Sequence, residues 1–253
     1  MAIDATTGRK ERRGIVTGAA SGIGRAATDR LLHEGVSVLA VDIDSERLKE
    51  RAAAGCQTMA ADLAEPTDRE RLAAATGGFD YLVNAAGIIL LKPIFDVTVE
   101  EWRRIQTVNS ESIFFLCQRI GPRLRPGGAI VNLSSSSAKL ATTVEAAVYA
   151  ASKTTITSIT RSFAYALASR PVRVNAICPG IVDTPMQDAV LAKVAAVRGT
   201  TADELSRARN KTVPLGRAAS PEECANLIWF LLSDEADYMT GQAINFTGGL
   251  VTW

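Results

Sequence analysis

Seven short apolar runs recur along the chain, at 14–17, 36–41, 58–61, 81–84, 129–133, 172–177 and 243–246. Each is continuous rather than alternating, and longer stretches of helical period stand between them. A strand with one wet face alternates polar and apolar residues, whereas a strand covered on both faces reads as an unbroken run. The intervening segments 23–34, 45–54, 67–75, 99–124, 148–169 and 221–232 carry the apolar spacing of helices. Strand–helix–strand alternation of this kind predicts an α/β fold: one doubly wound parallel sheet of about seven strands, flanked by helices. No repeat or linker-like change of composition divides the chain, so residues 1–253 are expected to form a single domain. The exception to the rhythm is 184–213, polar and helix-prone. It is inserted where it would overhang the carboxyl ends of the strands, so a substrate lid is expected there.

Composition closes off other classes. The chain is 47% hydrophobic, enough for a sizeable core, and its 28 Lys+Arg nearly match its 27 Asp+Glu. That balance gives no electrostatic case for nucleic acid or an anionic membrane. No run approaches the ~18 apolar residues that a spanning helix needs. The first thirteen residues are polar and charged, unlike a signal peptide. Cys56, Cys117, Cys178 and Cys224 are far apart with no C-x-x-C, as suits reduced, buried thiols. With one histidine, His33, and no His/Cys cluster, no metal site is expected. A cytoplasmic location is the resulting expectation.

The first apolar run leads into Thr17-Gly18-Ala19-Ala20-Ser21-Gly22-Ile23-Gly24 and then a helix. Glycines let the backbone turn tightly and approach a diphosphate, and the helix start offers unpaired N–H groups to the anion. The second run ends at Asp42, 18 residues beyond Gly24. A carboxylate there accepts hydrogen bonds from ribose hydroxyls and repels a 2′-phosphate. No basic residue follows Asp42 or replaces Ser21, so the expected cofactor is NAD.

Of the four tyrosines, only Tyr149 has a lysine four residues on, Lys153. On a helix the two share a face. A neighbouring ammonium favours tyrosinate and should lower the phenol from its usual ~10, making Tyr149 a general acid/base.

Together these segments resemble the short-chain dehydrogenase/reductase family over residues 12–250. The matching pieces are TGAASGIG (17–24), Asp62-Leu63, NAAG (84–87), Asn109, the serine run 134–137, YAASK (149–153) and PGIVDT (179–184). The resemblance implies a Rossmann-like fold and an oxidoreductase in which Tyr149 transfers the hydroxyl proton. Lys153 would assist it and hold the nicotinamide ribose, a serine would polarise the substrate oxygen, and Asn109 would order a water beside Lys153. It also implies cofactor contacts from Gly18, Ser21, Gly22, Ile23, Gly24, Asp42, Asp62 and Leu63. Asn84 and Gly87 would lie under the ribose, with Tyr149, Lys153, Pro179, Gly180, Val182 and Thr184 around the nicotinamide.

Two departures stand out. Ala85 replaces an asparagine that in the family ties the central strands together. Counting from the N-L-S-S motif points to Ser135 as the catalytic serine, whereas the family's spacing of 13 to the tyrosine points to Ser136. Reach to the Tyr149 hydroxyl assigns Ser136.

A pocket roofed by 184–213 and lined by Ile89, Ser136, Ser137, Ala138, Leu140 and Val144 carries few charges. Its surroundings look like those of relatives acting on sugars, polyols or vicinal diols. A 3-oxoacyl-thioester (acyl carrier protein) reductase is the alternative, with Arg198, Arg207, Arg209 and Lys211 available to a carrier's phosphopantetheine. A non-catalytic NAD-binding scaffold or sensor would have no use for Tyr149, Lys153 and Asn109. A homotetramer is expected, paired through the helices at 99–124 and 148–169.

Overall fold

The computed structural model describes residues 11–141 and 143–253, and most of the polar N-terminal stretch lies outside them. Seven strands form one sheet in the order β3-β2-β1-β4-β5-β6-β7. They are β1 (Arg13–Thr17), β2 (Ser37–Asp42), β3 (Gln57–Ala60), β4 (Tyr81–Asn84), β5 (Ala129–Leu133), β6 (Arg173–Pro179) and β7 (Ala243–Phe246). Every pairing is parallel.

Adjacent strand residues point to opposite faces, and here both faces are covered. Ile15, Leu82 and Ile130 join the core under α3 (Pro66–Ala74), α5 (Ser112–Ile120) and α6 (Ala147–Leu167). Val16, Val83 and Val131 join the opposite core under α1 (Gly22–His33), α2 (Ser45–Ala53) and α9 (Pro221–Leu232). That double burial is why the strands read as unbroken apolar runs.

The segment expected as one helix over 99–124 is interrupted. α4 (Val99–Gln106) opens on a capping box, in which Thr98 accepts from Glu101 N–H and the Glu101 carboxylate accepts from Thr98 N–H. It then widens into a π turn, Thr107–Glu111, before α5 begins. The segment 184–213 folds as two helices, α7 (Pro185–Arg198) and α8 (Ala202–Asn210), separated after Gly199 at φ 63°.

Strand order reverses between β1 and β4, the crevice where such sheets hold ligands. The loops after β1, β2, β3, β4, β5 and β6 all open onto it. Among the described residues, no helix is long and apolar enough to cross a membrane.

Candidate active site

The cleft begins where β1 turns into α1. Gly18 sits at φ 67° and Gly22 at φ 51°, a region that strains other residues. A Cβ on Gly18 would lie 2.8 Å from the backbone of Ala86, so this turn presses directly on the exit of β4. A Cβ on Gly24 would lie 2.0 Å from the Gly18 carbonyl oxygen, so the first turn of α1 packs on the loop itself. Ser21 caps α1 without a side-chain hydrogen bond, which leaves the N–H groups of the first turn open to an anion.

Asp42 closes the adenosine side. One carboxylate oxygen accepts from Ala20 N–H at 3.0 Å and the other from Asp44 N–H at 3.0 Å. The group therefore braces the phosphate loop while facing the cleft. Asp62 accepts from Ala64 N–H at 2.9 Å and faces the Arg104 guanidinium at 3.8 Å.

At the other end, α6 carries Tyr149 and Lys153 on one face, with the Lys153 Nζ 5.6 Å from the Tyr149 ring centroid. Lys153 is 4% exposed and donates to the Leu133 carbonyl at 2.7 Å. Burial disfavours its ammonium and brings its pKa down to about 8. Burial also pushes the Tyr149 phenol above its ordinary value, opposed by hydrogen bonding with Ser135. The lowering expected from Lys153 is absent here: its ammonium is turned to the Leu133 carbonyl, and burial raises the phenol against the Ser135 hydrogen bond alone.

The serine assignment changes. Ser135, extended at φ −164°, lines the cleft and interacts with Tyr149, while its oxygen accepts from Ser137 N–H at 3.1 Å. Ser136 starts a 3₁₀ turn over Ser136–Ala138, and that turn carries it out of the cleft lining. None of the six residues expected to line the substrate pocket lines this cleft either; its apolar lining includes instead Ile88, Val108 and Met186.

Asn109 sits in the π turn and is fully buried. Its Oδ1 accepts from Ile88 N–H at 2.8 Å, and its Nδ2 donates to the Ile88 carbonyl at 2.9 Å and to Ser152 Oγ at 3.0 Å. Ser152 in turn donates to the Tyr149 carbonyl at 2.7 Å. The Asn109 side chain is thus committed to a clasp on the β4 exit and on α6.

Asn84 is also not where the sequence places it. Its amide is buried and donates to Asn132 Oδ1 at 2.8 Å, while Asn132 donates to Thr160 Oγ1 at 3.0 Å. This chain ties β4 and β5 to α6, and Asn84 does not line the cleft. The strand tie expected to suffer from Ala85 is supplied by Thr17, whose Oγ1 accepts from Ala85 N–H at 3.2 Å and Ala86 N–H at 3.3 Å.

The remaining residues named from the sequence, Gly18, Ser21–Gly24, Asp42, Asp62, Leu63, Gly87, Tyr149, Lys153, Pro179, Gly180, Val182 and Thr184, converge on this one cleft. Arg104 belongs to it as well and was not foreseen; the helical period could have found it, one turn before the cleft residue Val108. The donor set fits a dinucleotide. Glycine backbone and a helix start serve a diphosphate, and two carboxylates serve sugar and base. At Gly87, an added Cβ would come within 3.4 Å of both Lys153 Nζ and Asn109 Oδ1.

Comparison with known proteins agrees. The family model for enoyl-(acyl carrier protein) reductase matches residues 18–251. A 3-oxoacyl-[acyl-carrier-protein] reductase of Thermotoga maritima is 37% identical over 94% of this chain and 96% of its own length. Galactitol 2-dehydrogenase of Agrobacterium fabrum is 35% identical over 93% of this chain and 95% of its own. The structure of a substituted actinorhodin polyketide ketoreductase with NADPH superposes at a TM-score of 0.88, with 31% identity and coverage of 96% of this chain and 98% of that one. The chain belongs to the short-chain dehydrogenase/reductase family, oxidoreductases that use a nicotinamide cofactor.

Proposed function

We propose that the protein interconverts a secondary alcohol and its ketone with NAD(H), the alcohol being a sugar, polyol or vicinal diol. The observation that carries this reading is the cleft itself: Ser135, Tyr149 and Lys153 meet at one end and Asp42 stands at the other. Bound there, the dinucleotide supplies hydride acceptance and donation. Tyr149 takes the hydroxyl proton in oxidation and returns it in reduction. Ser135 donates a hydrogen bond to the substrate oxygen as its charge develops. Lys153 offers its ammonium to the phenol and to the ribose hydroxyls, while Asn109, through Ser152, holds the turn of α6 on which both act. Gly18, Ser21–Gly24, Asp62, Leu63, Gly87, Pro179, Gly180, Val182 and Thr184 form the cofactor's walls. The α7–α8 segment serves as lid. The active assembly is a cytoplasmic homotetramer paired through α4–α5 and α6, where Trp102, Phe114 and Tyr165 lie exposed.

Asp42 favours NAD because a second negative charge at the 2′ position would meet a carboxylate already holding two backbone N–H groups. A 3-oxoacyl-thioester reductase is the second reading. It draws on the Thermotoga relative and on Arg198, Arg207 and Lys211, all exposed along the lid. A screen of sugars, polyols, diols and oxoacyl thioesters with NAD and NADP, followed at nicotinamide absorbance, separates the two. Turnover of diols or polyols with NAD is expected. Preference for an acyl thioester with NADPH overturns the first reading in favour of the second, and no turnover of any alcohol or ketone defeats both.

A further inference from the structure

One buried cation outside the reacting groups touches both halves of the cleft wall. Arg69 on α3 is 4% exposed and lies against the Phe115 ring, 5.5 Å from its centroid. A buried guanidinium is costly unless its donors are used, and Arg69 divides them between two separate segments. Nη1 donates to the carbonyls of Leu63 at 2.7 Å and Ala64 at 3.1 Å. Nη2 donates to Glu111 Oε1 at 2.9 Å. Leu63 is part of the wall beside Asp62, whereas Glu111 is the last residue of the π turn that carries Asn109. The Arg104–Asp62 contact at 3.8 Å crosses the same gap from α4. Loop 62–65 is therefore tied through Arg69 to Glu111 in the π turn, and by Asp62 to Arg104 on the helix that leads into that turn.

We propose that Arg69 and Glu111 form a positioning pair that couples the adenosine half of the cofactor cleft to the Asn109 clasp. Seating the adenosine against Asp62 and Leu63 then fixes the π turn, and with it Ile88 and Ser152 beside the reacting residues. Neither Arg69 nor Glu111 lines the cleft, so their effect passes through the loop and the turn they join. The proposal rests on the cofactor placement of the preceding section.

The test compares Glu111→Gln, which removes the charge and keeps the size, with Arg69→Lys, which keeps the charge and loses the planar fork. NADH and the adenosine-free NMNH are titrated by nicotinamide fluorescence, and amide hydrogen exchange is followed over 62–65 and 107–112. In the cofactor-free protein, each variant should speed exchange in both segments together. Glu111→Gln should weaken NADH binding about 3–10-fold while NMNH binding stays within about twofold, because only the dinucleotide reaches the coupled loop. With turnover available, kcat at saturating NAD should fall as well as KM rising. Equal losses for NADH and NMNH, faster exchange confined to one segment, or unchanged values throughout would overturn the pair. Failure of the unsubstituted protein to bind NADH would instead overturn the cofactor placement, and the exchange result would still decide whether the two segments are linked.

Discussion

At the adenosine end of the cleft, recognition falls to backbone and to partly exposed charge: Asp42 and Asp62 are half-buried, and Arg104 is exposed. At the other end Lys153 is 4% exposed and Asn109 fully buried, and burial moves both the Lys153 and the Tyr149 protonation equilibria. The difference divides the labour. In the proposed function, charges that stay in touch with water bind and select the cofactor. Groups that must exchange a proton are taken out of water, where the surroundings set how readily they do so.

The largest test of this division removes the Tyr149 hydroxyl. Tyr149→Phe keeps the ring, so NADH should bind within about twofold while kcat falls by about 10²–10⁴-fold. In the unsubstituted enzyme the oxidation rate should climb with pH through neutrality and beyond 10, because the base form is the one that burial disfavours. A substituted enzyme that keeps a tenth of its activity would place the proton transfer elsewhere. Next, Ser135→Ala should lower kcat by about 10²-fold, the usual scale for losing a donor to a developing oxyanion, with Ser136→Ala nearly silent. The reverse order would reinstate Ser136 and the spacing rule.

Lys153 sharpens the comparison through stability. Its pKa is about 8 in the fold, against the ordinary 10.5. Below pH 8 both folded and unfolded chains carry the proton, and the burial penalty is fully present. Between 8 and 10.5 the unfolded chain holds more protons, so stability should rise with pH. The full rise is about 3 kcal/mol, from 1.36 kcal/mol per pKa unit. Lys153→Met should lack that rise, and denaturant titrations of both proteins at pH 7 and 10 measure it by difference. Equal pH dependence would mean that Lys153 keeps ordinary acidity in the fold. The smallest effect belongs to Asp42. Asp42→Ala should weaken NAD binding by about tenfold, the loss of one charge-assisted hydrogen bond or more, and admit NADP. Asp42→Asn separates charge from brace: NADP tolerance with an intact loop would assign selection to repulsion alone.

The sheet was legible because burying both faces leaves an unbroken apolar run, and the limits of β4, β5, β7 and α9 agree with the sequence reading to the residue. The π turn was not legible. No Gly or Pro marks 107–111, and the apolar spacing continues through it as in one long helix. Which serine lines the cleft follows from backbone rather than from counting, since the extended Ser135 precedes a 3₁₀ turn that takes Ser136 out of the lining. Asn84 is absent from the cleft lining because its amide is spent on Asn132, a partner that the motif does not record. Arg69 belongs to no motif, and its partners are two backbone carbonyls five and six residues before it and a carboxylate 42 residues after it.

The π turn holds one residue more than an α-helical turn would need. Deleting one residue from 107–111 would restore regular winding, and each α-helical residue contributes about 100° of rotation. The π turn absorbs that extra rotation, so Ile113, Leu116, Cys117 and Ile120, all buried against the sheet, would keep their places in the shortened, regularly wound helix. Asn109 would lose its hold on Ile88 in the same event. The bulge thus makes the length of this segment inseparable from its composition. A deletion here would cost the clasp and spare the core, so the extra residue serves the placement of Asn109 rather than the packing of α5.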